Sequence, residues 1–146
     1  MARSLKDLSK SMRERAKGLE EIGSQLSIDG TTAMLKEMVE VSPVDTSIAL
    51  SNWQVSLNNP VANEISAHYV GRHGSSRAAS SNEAIAEGVG ELQYKKPGQP
   101  VFLSNIVNYI SDLDDGSSTQ FPGGFIPRAL IVFRLAVRES AKRLLK

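Results

Sequence analysis

Leu5, Leu8, Met12, Ala16, Leu19, Ile22 and Leu26 recur at spacings of three and four, which places them on one stripe of a helix. Residues 3–41 therefore read as helical, and an unbroken element of that length would measure about 55–60 Å. A chain of 146 residues has the size of one domain, so residues 1–146 are expected to fold as a single unit. Such a unit is too small to cover so long a helix from end to end. The sequence leaves open whether the helix is one piece. Asp29-Gly30 is a turn pair, and Thr31 or Thr32 can cap a second piece from about Thr32 to Val41, with Leu35, Met38 and Val39 apolar. Pro43 ends the element either way, because the residue before a proline avoids helical dihedrals.

Trp53-Gln-Val-Ser-Leu57 alternates apolar and polar residues and reads as a half-buried strand. A weaker strand is expected around Glu64 to Val70. Residues 71–82 are small, polar and basic, a composition that suits a mobile loop. Ser81 or Asn82 can then cap a short helix to Tyr94, with Ile85, Val89 and Leu92 on one face, although Gly88 and Gly90 weaken its propensity. A turn at Lys95–Gly98 leads to a strand at Pro100–Ser104, and Ile106 to Leu113 reads as a helical turn or two. Ile126 to Leu145 is the second long helix, with Pro127 tolerated in its first turn. Its apolar residues Leu130, Ile131, Phe133, Leu135, Val137, Ala141 and Leu144 cover more than one stripe. This predicts packing on a sheet on one side and on another subunit on the other. Arg134, Arg138 and Lys142 fall four apart and form its wet face. The element order points to an α+β fold, a small, mostly antiparallel sheet packed by a long N-terminal and a C-terminal helix.

Composition narrows the function. Net charge is +1 and aromatics make up 5% of residues, so neither a global pull toward nucleic acid nor a base-stacking platform is expected. Positive charge is local, with Arg3, Lys6, Lys10, Arg13, Arg15 and Lys17 at one end and Arg128, Arg134, Arg138, Lys142, Arg143 and Lys146 at the other. These are solvated helix faces or surfaces turned to DNA or an acidic partner. There is no cysteine, which excludes disulfides, a thiolate nucleophile and cysteine-ligated zinc. Lys6, Asp7 and Lys10 break any signal-peptide core, and no stretch reaches the roughly 20 apolar residues of a membrane span. Synthesis in the cytoplasm and no membrane partner are the expectations.

An active site finds little support. His68 and His73 are the available histidines, both near the polar stretch, and neither Ser75 nor Ser76 lies in a strand–elbow–helix context. The same histidines with a carboxylate have no recognised metal spacing. Asp112-Leu-Asp114-Asp115-Gly116 lacks the alternating ligands and closing glutamate of a calcium loop. No catalytic residue, cofactor or metal is assigned.

Two stretches carry more information. In Ser42-Pro-Val-Asp-Thr-Ser-Ile-Ala-Leu-Ser-Asn-Trp53, Pro43 stops a helix, Asp45 and Thr46 can bond backbone N–H groups in a tight turn, and Leu50 and Trp53 re-enter the core. In the second, a strand ends near Asn105, Tyr109 follows, and an acidic-Gly-x-Ser turn leads into Pro-x-Gly before the last helix. This order resembles the tail-completion, or neck, protein family of long-tailed bacteriophages. Matching positions are Pro43, Val44, Asp45, Thr46, Leu50 and Trp53, then Asn105, Tyr109, Leu113, Gly116, Ser118, Gln120, Pro122 and Gly124. Ser47 stands where that family usually has glycine, Ile110 and Phe121 where it has alanine, and Asp114-Asp115 where glutamate is common. A glycine at 47 would imply a dihedral that serine dislikes.

The resemblance implies a structural virion protein at the head–tail junction, made in the bacterial host and not an enzyme. It implies a homo-oligomeric ring, six-fold to match the tail, that contacts neck, connector and tail proteins while phage DNA passes through its lumen. Leu5, Leu8, Met12, Leu19, Ile131 and Leu135 are the expected subunit-interface residues. The competing expectation is a nucleic-acid-binding module that uses the basic terminal helices.

Overall fold

A computed structural model describes residues 4–146; Arg3, counted above in the basic cluster and in the first helix, lies outside the described residues. The first helix, α1 (Leu5–Val41), runs unbroken for 37 residues. Its start is a reciprocal cap, in which the Ser4 hydroxyl accepts from the Asp7 N–H and the Asp7 carboxylate accepts from the Ser4 N–H. At its other end Ser42 is extended, as the following proline requires, and its N–H still donates to the Met38 carbonyl.

Asp29-Gly30 does not break α1. The last helix, α5 (Phe125–Leu144), crosses at that point, and a Cβ on Gly30 would meet the Phe133 ring and lie 2.9 Å from Val137 Cγ2. The glycine that looks like a turn residue is a notch for a neighbouring helix. Its helix-propensity cost of about 1 kcal/mol is offset by the close approach it permits. Asp29 has a local role as well, accepting from Arg143 at 2.9 Å and from the Ser140 hydroxyl. Toward the start of α5, Arg128 pairs with Glu37. These contacts set α5 antiparallel to α1. The inward face of α5 thus lies mainly along α1, and its first turns, at Phe125 and Ala129, also reach Leu103 of the sheet.

Between the long helices come α2 (Ile48–Ser51), β1 (Gln54–Leu57), α3 (Arg77–Leu92), β2 (Val101–Ser104) and α4 (Ile110–Asp114). The strands pair antiparallel with Val55 opposite Leu103 and Leu57 opposite Val101. Alternation sends Val55 and Leu103 into one cluster with Leu35, Val39, Val44, Leu50 and Ala84. A second cluster, Met38, Phe125 and Ala129, gathers Trp53, Leu103 and Phe121 at the start of α5. The class is α+β as expected, a small antiparallel sheet packed by long terminal helices. A two-stranded sheet is barely stable alone, so the helices hold the strands together. No described helix is long and apolar enough to cross a membrane.

Two expectations need correction. Residues 64–70 form no strand, and α3 begins at Arg77, so the second half of the expected 71–82 loop is helix. Gly88, which weakens α3 on propensity, sits against Leu35 with no room for a Cβ. It is a second notch, between α3 and α1.

Gly30→Ala should destabilise the chain by about 1–3 kcal/mol through overpacking against Phe133. Gly18→Ala, in a part of α1 where a Cβ meets nothing within 4 Å, should be neutral or stabilise by up to about 1 kcal/mol. Urea unfolding of both variants checks the contrast.

Candidate functional site

A helix end leaves carbonyls without partners, and the chain meets this at the end of α1 with side chains from far along the sequence. Arg77, the first residue of α3, donates to the Ser42 carbonyl at 2.9 and 3.1 Å and to the Glu40 carbonyl at 3.2 Å. The Trp53 indole N–H donates to the Ser42 hydroxyl at 2.7 Å, which in turn donates to the Met38 carbonyl at 2.6 Å. The Trp53 ring then meets Phe125 edge-on, with centroids 5.5 Å apart. One indole thus links the end of α1 to the start of α5.

The second motif closes on the first. Gln120 lies 76 positions from Val44, yet its side-chain oxygen accepts from the Val44 N–H at 3.0 Å and its amide donates to the Val44 carbonyl at 3.2 Å. The pair copies a strand's bonding with one side chain. Asn105 donates to the Ala49 carbonyl at 2.8 Å. Pro43, Val44 and Thr46 line one shallow groove with Tyr109, Leu113 and Ser118. The Ser118 hydroxyl accepts from the Gln120 N–H and so orients the clamp. Burial first, and then the nearby Glu64 charge, raises the Tyr109 pKa above its ordinary value.

The acidic-Gly turn serves α5. Asp114 accepts from the Gly124 N–H through its carbonyl at 2.8 Å and from the Phe125 N–H through its carboxylate. A carboxylate at a helix start satisfies an orphan donor and suits the helix dipole. Gly116 and Gly124 have φ of 88° and 83°, and a Cβ on Gly116 would lie 2.7 Å from the Pro122 carbonyl oxygen. Both positions favour glycine for backbone reasons.

The φ of Ser47 is 66°, in the left-handed region, so serine occupies the conformation that a glycine would take. Its hydroxyl is bonded to that of Ser76 at 2.8 Å, which offsets the conformational cost.

The segment from residue 71 bonds to the same turn. The Asp45 carboxylate accepts from the His73 N–H at 2.7 Å, and the Asp45 carbonyl accepts from the Gly74 N–H at 2.9 Å. Polar residues that read as solvent-facing satisfy backbone groups here. The same holds for residues 64–70, where Asn52, fully buried, bonds both the N–H and the carbonyl of Ile65 at 2.9 and 2.8 Å. The His68 side chain is largely buried, and its Nε2, 3.6 Å from Glu87, has no hydrogen-bond partner, whereas His73 is exposed beside Asp45. Among the described residues no group of three His, Cys, Asp or Glu is placed to hold a metal ion.

The expected interface residues fall on two surfaces. From Leu5 to Gly23 no residue of α1 is buried; burial begins at Ser24, which Lys95 bonds at 3.1 Å. Leu5 is 86% exposed, Leu8 50%, Met12 63% and Leu19 65%. On the outer face of α5, Ile131 and Leu135 are 58% and 57% exposed. The structure does not bring the two sets together within one subunit. Hydrogen bonds from Ser4 hold the Asp7 pKa low at the tip of the arm. The Lys142 hydrogen bond lowers that of Glu139 on α5, and burial lowers that of Lys95.

The chain matches no protein-family model, no curated protein and no solved structure. Residue-level reasoning overlooked Arg77, Asn52 and Asp114 as organisers. Only Asp114, in an acidic turn before a helix, left a signal that could have been used.

Ser47→Ala, which keeps the strained φ and loses the hydroxyl pair, should cost about 1 kcal/mol or more. Ser47→Gly trades one effect against the other and should be close to neutral. Gln120→Ala leaves two groups of Val44 without their partner and should cost about 1–3 kcal/mol. Equilibrium unfolding by fluorescence of Trp53, which sits at this node, reads all of them.

Proposed function

We propose that this chain is a structural subunit of the head–tail junction of a tailed bacteriophage, and not an enzyme. It assembles with its own copies into a ring, hexameric to match the tail, through which DNA passes. The observation that carries this reading is the uncovered leucine stripe of α1. About 28 Å of helix (residues 5–23, at the usual rise) holds no buried residue, and Leu5, Leu8, Met12 and Leu19 are exposed. An apolar seam with this spacing is a surface for another helix. Neighbouring neck, connector and tail proteins are the other partners in this reading.

The resemblance itself gains support from geometry. Its two stretches form one unit through Gln120 and Val44, so residues matched separately in sequence act together in space. A ring places head-to-tail contacts between unlike faces of one subunit, and the arm of α1 is one face available for them.

The nucleic-acid reading is weaker. Of the cations on α5, Arg128 pairs with Glu37, Arg143 with Asp29 and Lys142 with Glu139. These pairs occupy half of that cluster; Arg134, Arg138 and Lys146 form no ion pair among the described residues, but a net charge of +1 gives no global pull toward phosphates.

Light scattering and negative-stain imaging of the purified chain test the proposal. Closed rings are expected at high concentration, and the variant carrying Leu8→Asp and Met12→Asp should stay monomeric with unchanged helicity by circular dichroism. A wild-type chain that remains monomeric throughout rejects the ring.

A further inference from the structure

Two rows of charge on this subunit match each other. On α3, Glu83, Glu87 and Glu91 lie four residues apart, and on α5 so do Arg134, Arg138 and Lys142. At the usual helical rise both rows step by about 6 Å. Among the described residues Glu83, Glu91, Arg134 and Arg138 form no ion pair within their own chain; Glu87 faces His68 at 3.6 Å and Lys142 bonds Glu139. The side chains of Arg134 and Arg138 are exposed, and Glu83 and Glu91 are half-buried on the flank of α3.

The neighbouring residues also fit. Ile131 and Leu135 stand exposed beside the basic row, and Ala79 and Ala86 stand exposed beside the acidic one. Small side chains on one helix let large ones on another approach closely. Both helices pack on α1, which leaves the opposite face of each turned outward.

We propose that the basic outer face of α5 docks on the acidic flank of α3 in a second copy of this chain. The contact is heterologous, each subunit offering both rows at once, and so it propagates head to tail, closing into the proposed ring when the rotation per subunit completes a circle. This rests on the ring reading above and names one of its interfaces. The charge rows set register and partner choice, and the apolar residues between them supply the buried area.

Charge exchange tests it on the full chain. The double variants Glu83→Lys with Glu87→Lys, and Arg134→Glu with Arg138→Glu, should each raise the concentration needed for half-assembly by about tenfold or more. Combining all four substitutions should restore assembly to within about threefold of wild type. Wild-type rings should also loosen as salt rises from about 0.05 to about 0.5 M. Circular dichroism confirms that each variant is folded. Rings in wild type that ignore charge reversal and salt overturn this interface and leave the ring reading intact; a monomeric wild type overturns both. A folded four-substitution variant that does not assemble also overturns it. Rings that persist in the Arg134→Glu, Arg138→Glu variant while binding of duplex DNA is lost assign the basic row to nucleic acid instead.

Discussion

The carbonyls at the end of α1 must find donors once Pro43 turns the chain away, and the rest of the molecule is arranged around that need. Arg77 reaches back to Glu40 and Ser42, Trp53 to the Ser42 hydroxyl, and Gln120 to both backbone groups of Val44. Asp45 then holds His73 and Gly74, and Ser47 holds Ser76. A short turn after one helix thereby ties down α3, the sheet and the approach to α5. Where the group left behind is buried, as at Ser42, Val44 and Ser47, removing its partner costs more than the bond itself contributes.

Polar side chains replace a larger sheet. Asn52 bonds Ile65 as a neighbouring strand would, the Ser51 hydroxyl accepts from the His68 N–H, and Ser80 bonds Tyr69. Ser42, Ser47, Ser51, Asn52, Ser76 and Ser80 are buried for this purpose. Such bonding tolerates irregular backbone, so the chain can run through residues 58–76 without secondary structure and still satisfy its donors. Order in that stretch comes from these specific bonds, not from a ladder.

The two long helices show how packing and assembly divide the apolar surface. Where α5 covers α1, Gly30 brings the helices together and charged pairs at Asp29 and Glu37 flank the crossing. Beyond Ser24 toward the N-terminus the same apolar stripe continues with no cover. One periodic pattern thus serves the core at one end and a neighbouring copy, in the proposed function, at the other. The outer faces of α3 and α5 carry opposite charge at equal spacing, which suits subunits that must choose a register.

Local rules alone determine much of this protein. Periodicity marks α1 and α5, alternation marks β1, proline sets the end of α1, and the mix of elements sets the α+β class. Each of these depends on neighbours a few residues away. The motif positions from Pro43 to Gly124 were also visible as turns and anchors, but not as one unit, because no local rule says that Gln120 meets Val44. Tertiary structure decided the rest. Gly30 is a notch and not a turn because Phe133 crosses there, and residues 77–82 form a helix whose Arg77 bonds the end of α1 and whose buried Ser80 bonds Tyr69. It also leaves Leu5 to Leu19 bare, since the length of α5 and the direction of its packing, not the pattern of α1, set where cover ends. A stripe of leucines states that something must cover it; only the fold reveals that this subunit does not.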